Sequence, residues 1–239
     1  MRAAVARLSA NRTIKRWVGA ALALLLAGGC QQALSAAPPE SFVNAPAAAL
    51  VAHEAPGKAQ AIFAGGCYWG VEGVFSHVVG VTSAISGFHG GNADTAEYER
   101  VSQGDTGHAE SVRVTYDPAR IRYDQLLRIF FSVVADPTQR DRQGPDVGTQ
   151  YRSALVPLND EQRRVATAYL AQLRSSGLWH QPLVTRVQPY RHFYPAASDH
   201  QDFMANNPGY PYTTYWDEPR IEALKRLFPA QYHAEFTRG

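Results

Sequence analysis

The sequence predicts a sandwich of helices over a β-sheet, of the α/β or the α+β class. Short strand candidates alternate with helix candidates after about residue 58, and turn-forming residues separate them. The chain has 239 residues, of which 45% are hydrophobic and 11% aromatic, so one domain with extensions can bury a substantial core. These patterns leave open whether neighbouring strands run parallel or antiparallel.

The strand candidates are short apolar or alternating segments, and they cover residues 60–64, 78–88, 108–116, 151–157 and 183–188. The helix candidates have helical spacing or caps, and they cover residues 67–75, 95–102, 123–134, 159–176, 199–205 and 219–227. Gly65-Gly66 permits a tight turn into the first helix, and Asn159 with Gln162 caps the helix at 159–176. The intervening loop, Ala135 to Gln150, is long enough to indicate function or disorder.

The first 30 residues predict a secretory signal peptide. Five basic residues precede an apolar run from Trp17 to Leu26, and no acidic residue occurs before Glu40. This run is shorter than the roughly 20 residues of a membrane-spanning helix, which favours a signal over a permanent anchor. Leu26-Ala27-Gly28-Gly29-Cys30 resembles a bacterial lipobox, so we expect lipid attachment at Cys30. The alternative is plain cleavage near a small residue, with no role for Cys30.

Residues 31–58 are rich in alanine and proline and have no hydrophobic periodicity, which predicts a tether to a domain at 59–239. The formal net charge of +2 becomes −3 once the five leader charges are removed. No basic run interleaved with aromatics follows, so nothing indicates nucleic-acid binding. We expect a domain on the periplasmic side of a bacterial cell envelope, held to the membrane by a lipid.

The stretch GGCYWG, residues 65–70, places one of the two cysteines at the predicted start of the first helix. Unpaired amides at a helix N-terminus carry partial positive charge, which lowers the pKa of a thiol at that position. Cys67 is therefore a candidate nucleophile. The alternative is a small buried hydrophobic residue, because cysteine is among the most frequently buried residue types.

A carboxyl group is predicted on the core face of the third strand. The period of two places Glu110 on the same face as Val112, Val114 and Tyr116. Burial raises the pKa of a carboxyl, so Glu110 could stay protonated near neutral pH and donate a proton. The alternative is an acid at a strand end that reaches solvent.

Seven motifs resemble, in order, those of the peptide methionine sulfoxide reductase A family. They are Gly66-Cys67-Tyr68-Trp69-Gly70, Gly87-Phe88-His89-Gly90-Gly91, Tyr98-Glu99-Arg100-Val101, Gly107-His108-Ala109-Glu110, Asp117-Pro118, Asp136-Pro137-Thr138 and Gln143 through Ser153. The likeness covers residues from about 60 to 232. It implies an α+β fold: a two-layer α/β sandwich of ferredoxin-like type, with helices packed on a mixed sheet and a long irregular C-terminal segment.

The resemblance implies that the protein reduces the S epimer of methionine sulfoxide in peptides and proteins, which repairs oxidised proteins. Cys67 would attack the sulfoxide sulfur and become a sulfenic acid, while Glu110 would protonate the oxygen.

The remaining family roles carry over to aromatic residues and one acid. Tyr98 and Tyr151 would hydrogen-bond the sulfoxide oxygen, and Asp146 would order water and the tyrosine network. Tyr68 and Trp69 would hold the methyl group of the substrate. Several neighbours depart from the family pattern, which concerns the supporting residues: Tyr68 for phenylalanine, Ala135 for histidine, Pro145 for asparagine, and the segment 197–201 around His200.

No cysteine follows Cys67, whereas many family members have a later cysteine that resolves the sulfenic acid. Pro211 lies near where that thiol is often found. A lipidated Cys30 would also be unavailable for this step. The sequence therefore predicts a reductase with a single working cysteine, no bound cofactor, and an external thiol reductant such as thioredoxin or a thioredoxin-like protein.

Two other functions stay open. One is a thiol hydrolase or acyltransferase that uses His108 or His200 as the base for Cys67. The other is a non-catalytic envelope lipoprotein that binds exposed peptide segments through its aromatic patches. No histidine or cysteine spacing indicates a metal site, and we expect a monomer.

Overall fold

The computed structural model of the protein describes residues 42–239. The predicted signal peptide, the predicted lipid-attachment residue Cys30 and the first part of the predicted tether lie outside these residues. Within the described part of the chain, no helix is both long enough and apolar enough to cross a bilayer.

One six-stranded mixed sheet forms the centre of the structure, in the order β7-β6-β1-β3-β2-β8. Neighbouring strands pair antiparallel, except for the parallel pair of β6 and β7. A separate antiparallel hairpin consists of β4 and β5. The strands are β1 Ala59–Ala64, β2 Val81–His89, β3 Ala109–Tyr116, β4 Arg142–Gln143, β5 Asp146–Val147, β6 Ala154–Val156, β7 Arg186–Val187 and β8 Phe193–Pro195.

Helices α1, α3 and α4 cover the sheet, and three further helices follow β8 in the C-terminal part. The helices are α1 Tyr68–Ser76, α2 Tyr98–Val101, α3 Tyr123–Ile129, α4 Asp160–Ser175, α5 Phe203–Asn206, α6 Pro211–Trp216 and α7 Glu218–Leu227. The order β1-α1-β2-β3-α3-β6 with the sheet order β6-β1-β3-β2 is a ferredoxin-like arrangement, which confirms the predicted fold class.

Most predicted elements are present in the structure. The observed ends differ from the predicted ends where a turn replaces the helix or strand. The predicted helix 123–134 is α3 followed by a π-helical turn at Phe130–Val134. The predicted strand 151–157 is shortened because a 3-10 turn occupies Thr149–Tyr151. Asn159 caps α4 as predicted, since its side chain accepts a 2.8 Å hydrogen bond from the backbone N–H of Gln162. Three elements were not predicted: β8, α6 and the β4-β5 hairpin.

The prediction of a tether is wrong for residues 42–58, which pack against α3 and α4. Ala45 and Ala52 are buried, and the backbone N–H of Ala52 donates a 3.0 Å hydrogen bond to Asp124. The hydroxyl of Tyr169 donates to the carbonyl of Pro46 at 2.7 Å. Because this segment is fixed mainly through its backbone groups, its side chains show no hydrophobic period that could have predicted the packing.

Candidate active site

Cys67 lies at the junction of β1 and α1, directly before the helix begins at Tyr68. The junction is tight because Gly66 adopts a φ of +98°, and a Cβ atom there would lie 2.7 Å from the side chain of Gln143. Cys67 is 1% exposed. Cys67 is the N-cap residue of α1, so the structure places the thiol at the helix start where the sequence predicted it.

Glu110 reaches the same helix end from β3. Because Phe63 of β1 pairs with Val112, Glu110 lies beyond the end of β1, level with the start of α1. The backbone N–H of Tyr68 donates a 2.9 Å hydrogen bond to Oε2 of Glu110. This contact places the carboxyl next to the residue that carries the thiol.

The environment keeps the Glu110 carboxyl protonated at neutral pH. The side chain is 1% exposed, and its Oε1 atom has no hydrogen-bond partner among the described residues. Burial is the largest cause that raises the pKa of Glu110, to about 8. The Tyr68 N–H lowers the pKa, while the charges of Asp146 and Asp217 raise it. The predicted buried acid on the core face of β3 is confirmed.

Aromatic rings form one wall of the site around Trp69. Phe203 stacks on the indole with ring centroids 3.7 Å apart, and His200 lies 5.7 Å away at an angle of 22°. Tyr210 and Tyr212 present their edges to the indole at 6.0 and 6.3 Å. We call these five residues the Trp69 cluster. The cluster surrounds Trp69 with rings, and the sequence analysis gave the other four residues no role beside it.

Tyr68 and Tyr98 border this cluster through His200. The ring of Tyr68 lies 5.6 Å from the His200 ring and 5.8 Å from Phe88, which is the cross-strand neighbour of Glu110. The ring of Tyr98, the first residue of α2, lies 4.4 Å from His200. His200 thus links the two tyrosines, although its surrounding sequence departs from the family pattern.

Tyr151 and Asp146 approach from the long loop that follows α3. Tyr151 is buried and ends a 3-10 turn that packs against β3, the strand that carries Glu110. Asp146 in β5 is buried, and its Oδ2 accepts a 2.5 Å hydrogen bond from the hydroxyl of Tyr212. The structure therefore brings the predicted site residues to one end of α1, with Cys30 outside the described residues.

A buried pair of opposite charges, Asp217 and Arg220, also lies at this end of α1, and the sequence gave no signal for it. Asp217 is 0% exposed and Arg220 is 1% exposed. In the sequence both residues stand at the start of a helix with charged neighbours, which is typical of an exposed helix end. Their burial comes from packing of the C-terminal helices on α1, so no local sequence pattern predicts it.

The two histidines proposed as bases for a hydrolase have other surroundings. The Nδ1 of His108 accepts from the backbone N–H of Gly91 at 3.2 Å, and its Nε2 lies 2.9 Å from the carbonyl of Asn92. Burial lowers the pKa of His200, whose ring is packed among aromatic residues. Residues 42–239 contain no cluster of three or more histidine, cysteine, aspartate or glutamate side chains that could hold a metal.

This arrangement suits a substrate with three chemically different parts. A thiolate at a helix N-terminus attacks an electrophilic atom, a protonated carboxyl gives its proton to a basic oxygen, and an aromatic wall holds an apolar group.

A family model described as peptide methionine sulfoxide reductase matches residues 59–232. The chain belongs to this family. The reductase converts the S epimer of methionine sulfoxide in peptides to methionine.

Individual relatives agree with the family match. The reductase is 54% identical over 178 residues to the peptide methionine sulfoxide reductase MsrA 2 of Mesorhizobium japonicum, with 74% of this chain and 91% of the relative covered. It is 45% identical over 185 residues to the MsrA 2 of Synechocystis, with 77% and 86% covered.

Two solved structures are similar to the reductase over about two thirds of its length. Methionine sulfoxide reductase A of Corynebacterium diphtheriae has a TM-score of 0.55 and 33% identity, over 64% of this chain and 77% of that chain. Mxr1 of Saccharomyces cerevisiae in its reduced form has a TM-score of 0.55 and 30% identity, over 66% and 91%. These likenesses do not favour the hydrolase or the non-catalytic lipoprotein.

Proposed function

We propose that Cys67 and Glu110 carry out the two chemical tasks of sulfoxide reduction. The Cys67 thiolate attacks the sulfoxide sulfur as the Glu110 carboxyl transfers its proton to the oxygen. The S–O bond of the substrate then breaks, and the oxygen remains on Sγ of Cys67 as a sulfenic acid. The methionine sulfur is reduced by two electrons and the Cys67 sulfur is oxidised by two.

The observation that carries this assignment is the hydrogen bond from the Tyr68 N–H to Glu110. It holds a carboxyl with a raised pKa beside the residue that follows the thiol in the chain. A general acid must lie within hydrogen-bond reach of the group that it protonates, and it works best when its pKa is near the operating pH. Glu110 meets the second condition because its pKa is about 8.

The other site residues hold the substrate in this scheme. Tyr98 and Tyr151 donate hydrogen bonds to the sulfoxide oxygen as charge develops. Asp146, which accepts a hydrogen bond from Tyr212, orders water and the tyrosine network. Tyr68 and Trp69 receive the methyl group. A sulfur with an oxygen, a methyl group and a longer chain is chiral, so three fixed contacts accept one epimer.

The sulfenic acid is cleared by an external dithiol, such as thioredoxin or a thioredoxin-like protein. The full sequence contains two cysteines, Cys30 and Cys67, and no thiol follows Cys67. One thiol of the reductant displaces the oxygen as water and forms a mixed disulfide with Cys67, and its second thiol releases Cys67 in reduced form. Neither step needs a bound cofactor.

The basic and apolar N-terminal sequence supports a place in the bacterial cell envelope, with Cys30 carrying a lipid. In this compartment a monomeric reductase would repair oxidised envelope proteins, and the external reductant would have to be present there too. Mass spectrometry of Cys30 in membranes isolated from cells tests this part separately.

A single-turnover measurement tests the chemistry. The full mature protein with Cys67 reduced is mixed with excess peptide carrying the S or the R sulfoxide, without reductant, and methionine and thiol content are counted. We expect one methionine per protein from the S epimer, one thiol lost, and no methionine from Cys67→Ser. The matched control Cys30→Ser should behave as the wild type. An intramolecular disulfide between Cys30 and Cys67 after turnover would contradict the external reductant.

A further inference from the structure

A buried ion pair that the reaction scheme does not use lies against the first turn of α1. Nη1 of Arg220 is 3.7 Å from Oδ1 of Asp217. Of the arginines and lysines in the described chain, Arg220 alone is buried. Transfer of two charges into a protein interior costs several kcal/mol for each ion, so such a pair is weak evidence of stabilisation and calls for another explanation.

Gly70 shows how closely the pair approaches the helix. A Cβ atom at Gly70 would lie 2.1 Å from Oδ1 of Asp217 and 3.0 Å from Nη1 of Arg220. No other residue than glycine leaves room for both groups at this position. Gly70 lies three residues after Cys67, the N-cap residue of α1. The pair therefore packs against the first turn of the helix that begins directly after the thiol.

The pair also acts on Glu110 through its charge. The Asp217 carboxylate is one of the causes that raise the pKa of Glu110, after burial and the charge of Asp146. The acidic and basic groups around the amino end of α1 thus come from three elements: Glu110 from β3, Asp146 from β5, and Asp217 with Arg220 from the start of α7. The neutral titratable groups near them include Tyr212, which is hydrogen-bonded to Asp146, and His200, which lies beside Tyr68 and Tyr98.

We propose that Asp217 and Arg220 are a positioning pair for the reaction of Cys67. The Arg220 guanidinium, held by Asp217, stabilises negative charge at the amino end of α1 when Cys67 is a thiolate. The Asp217 carboxylate keeps the proton on Glu110 until the sulfoxide oxygen takes it. This inference rests on the proposed roles of Cys67 as nucleophile and Glu110 as acid, and it adds the groups that adjust both.

The proposal makes opposite predictions for the two members of the pair. Removal of the Arg220 charge leaves Asp217 uncompensated, so both the Cys67 thiol and the Glu110 carboxyl should hold their protons to higher pH. Removal of the Asp217 charge leaves Arg220 uncompensated, so both groups should lose their protons at lower pH. The midpoint of each group is the pH at which half of it has lost its proton. If the pair had a purely structural role, removal of either charge would change the folded fraction without moving the midpoints of Cys67 and Glu110 in opposite directions.

The test uses the full chain with Arg220→Met, Arg220→Lys and Asp217→Asn. The rate of Cys67 alkylation by iodoacetamide against pH reports the thiol, and single-turnover methionine formation against pH reports both groups. We expect both midpoints to rise by about one pH unit in Arg220→Met and to fall by about one in Asp217→Asn. Arg220→Lys, which keeps the charge, should return the midpoints close to those of the wild type.

Two further variants keep the test decisive. The double variant Asp217→Asn/Arg220→Met removes both charges, so it should fold even where one uncompensated charge prevents folding, and its midpoints should lie between those of the single variants. Arg122→Met breaks a different arginine–aspartate pair, with Asp124, and should leave both midpoints unchanged. Equal midpoints in all folded variants would overturn the positioning role. Methionine formation by Cys67→Ser would instead overturn the proposed function itself.

Discussion

The ring of Phe203 lies flat against the indole of Trp69, with centroids 3.7 Å apart and ring planes at 6°. Phe203 begins α5, a short helix in the C-terminal part of the chain, whereas Trp69 belongs to the first turn of α1. The contact therefore joins the C-terminal segment to the ring that, in the proposed scheme, receives the methyl group of the substrate. It also fixes the indole plane, so the orientation of this ring depends on α5 as well as on α1.

Loss of the Phe203 ring should weaken substrate binding more than chemistry. Stacked aromatic pairs contribute about 0.5–1.5 kcal/mol beyond the area that they bury, so Phe203→Ala should lower kcat/KM by roughly tenfold, mainly through KM. Phe203→Tyr should keep most of the activity because it keeps the ring. Steady-state kinetics with an S-sulfoxide peptide measure this change.

The matched control is Tyr190→Ala, since Tyr190 is an exposed ring that stacks on His89 at 6.1 Å outside the Trp69 cluster. This variant should have wild-type kinetics. If Phe203→Ala lowered kcat with KM unchanged, the ring would act on the reaction step and its assignment to substrate binding would be wrong.

We expect the raised pKa of Glu110 to set an upper pH limit for the reaction. The carboxyl is protonated below its pKa of about 8 and ionised above it, so methionine formation in a single turnover should fall as the pH rises through about 8. Glu110→Gln should remove this descending limb and slow the step by about 100-fold to 10,000-fold, because an amide cannot transfer a proton. Rapid-quench measurements from pH 6 to 10 test both effects.

Asp146→Asn provides a directional check on the same pH profile. The Asp146 charge raises the pKa of Glu110, so its removal should move the descending limb to lower pH. Glu222→Gln, which removes an exposed acid of α7, should leave the limb in place. If the descending limb of the pH profile persisted in Glu110→Gln, the limb would arise from the titration of a group other than Glu110.

The sequence predicts the parts of this site that depend on local pattern. A period of two in β3 is enough to bury Glu110, and the glycine pair before Cys67 is enough to start α1 there. The Trp69 cluster and the Asp217–Arg220 pair are different, because C-terminal segments pack on α1 from far along the chain. The strand β8 and the helix α6 are too short for a hydrophobic period to be detected in the sequence. The packing of residues 42–58 was also not predictable, because it depends mainly on backbone groups.

A second buried carboxyl should make the stability of the fold depend on pH. Glu72 of α1 is 0% exposed, and burial, with a smaller contribution from Asp202, raises its pKa from 4.5 to about 8. A folded-state pKa above the unfolded value means that this group's contribution to stability is present below pH 4.5 and is lost as the pH rises to about 8. Glu72→Gln should therefore be more stable than the wild type at pH 8, by up to about 5 kcal/mol.

Urea unfolding at several values between pH 5 and 9 measures this effect. The slope of the unfolding free energy against pH should be less negative in Glu72→Gln than in the wild type, by up to about 1.4 kcal/mol per pH unit, and Glu110→Gln should reduce it further. Glu222→Gln should leave the slope unchanged. Parallel pH profiles for Glu72→Gln and the wild type would show that Glu72 is ionised in the folded protein.

The segment before β1 should contribute to stability without contributing to the reaction. Glu54 accepts hydrogen bonds from the hydroxyl of Tyr116 and, at 2.9 Å, from the backbone N–H of Tyr123, the first residue of α3. Glu54→Ala leaves these partly buried donors without their acceptor, so we expect a loss of about 1–3 kcal/mol in unfolding free energy. The single-turnover rate should not change, since α1 and β3 keep their own contacts. The control Glu235→Ala, an exposed acid, should change neither quantity. Equal stability of Glu54→Ala and the wild type would restore the view of residues 42–58 as a tether.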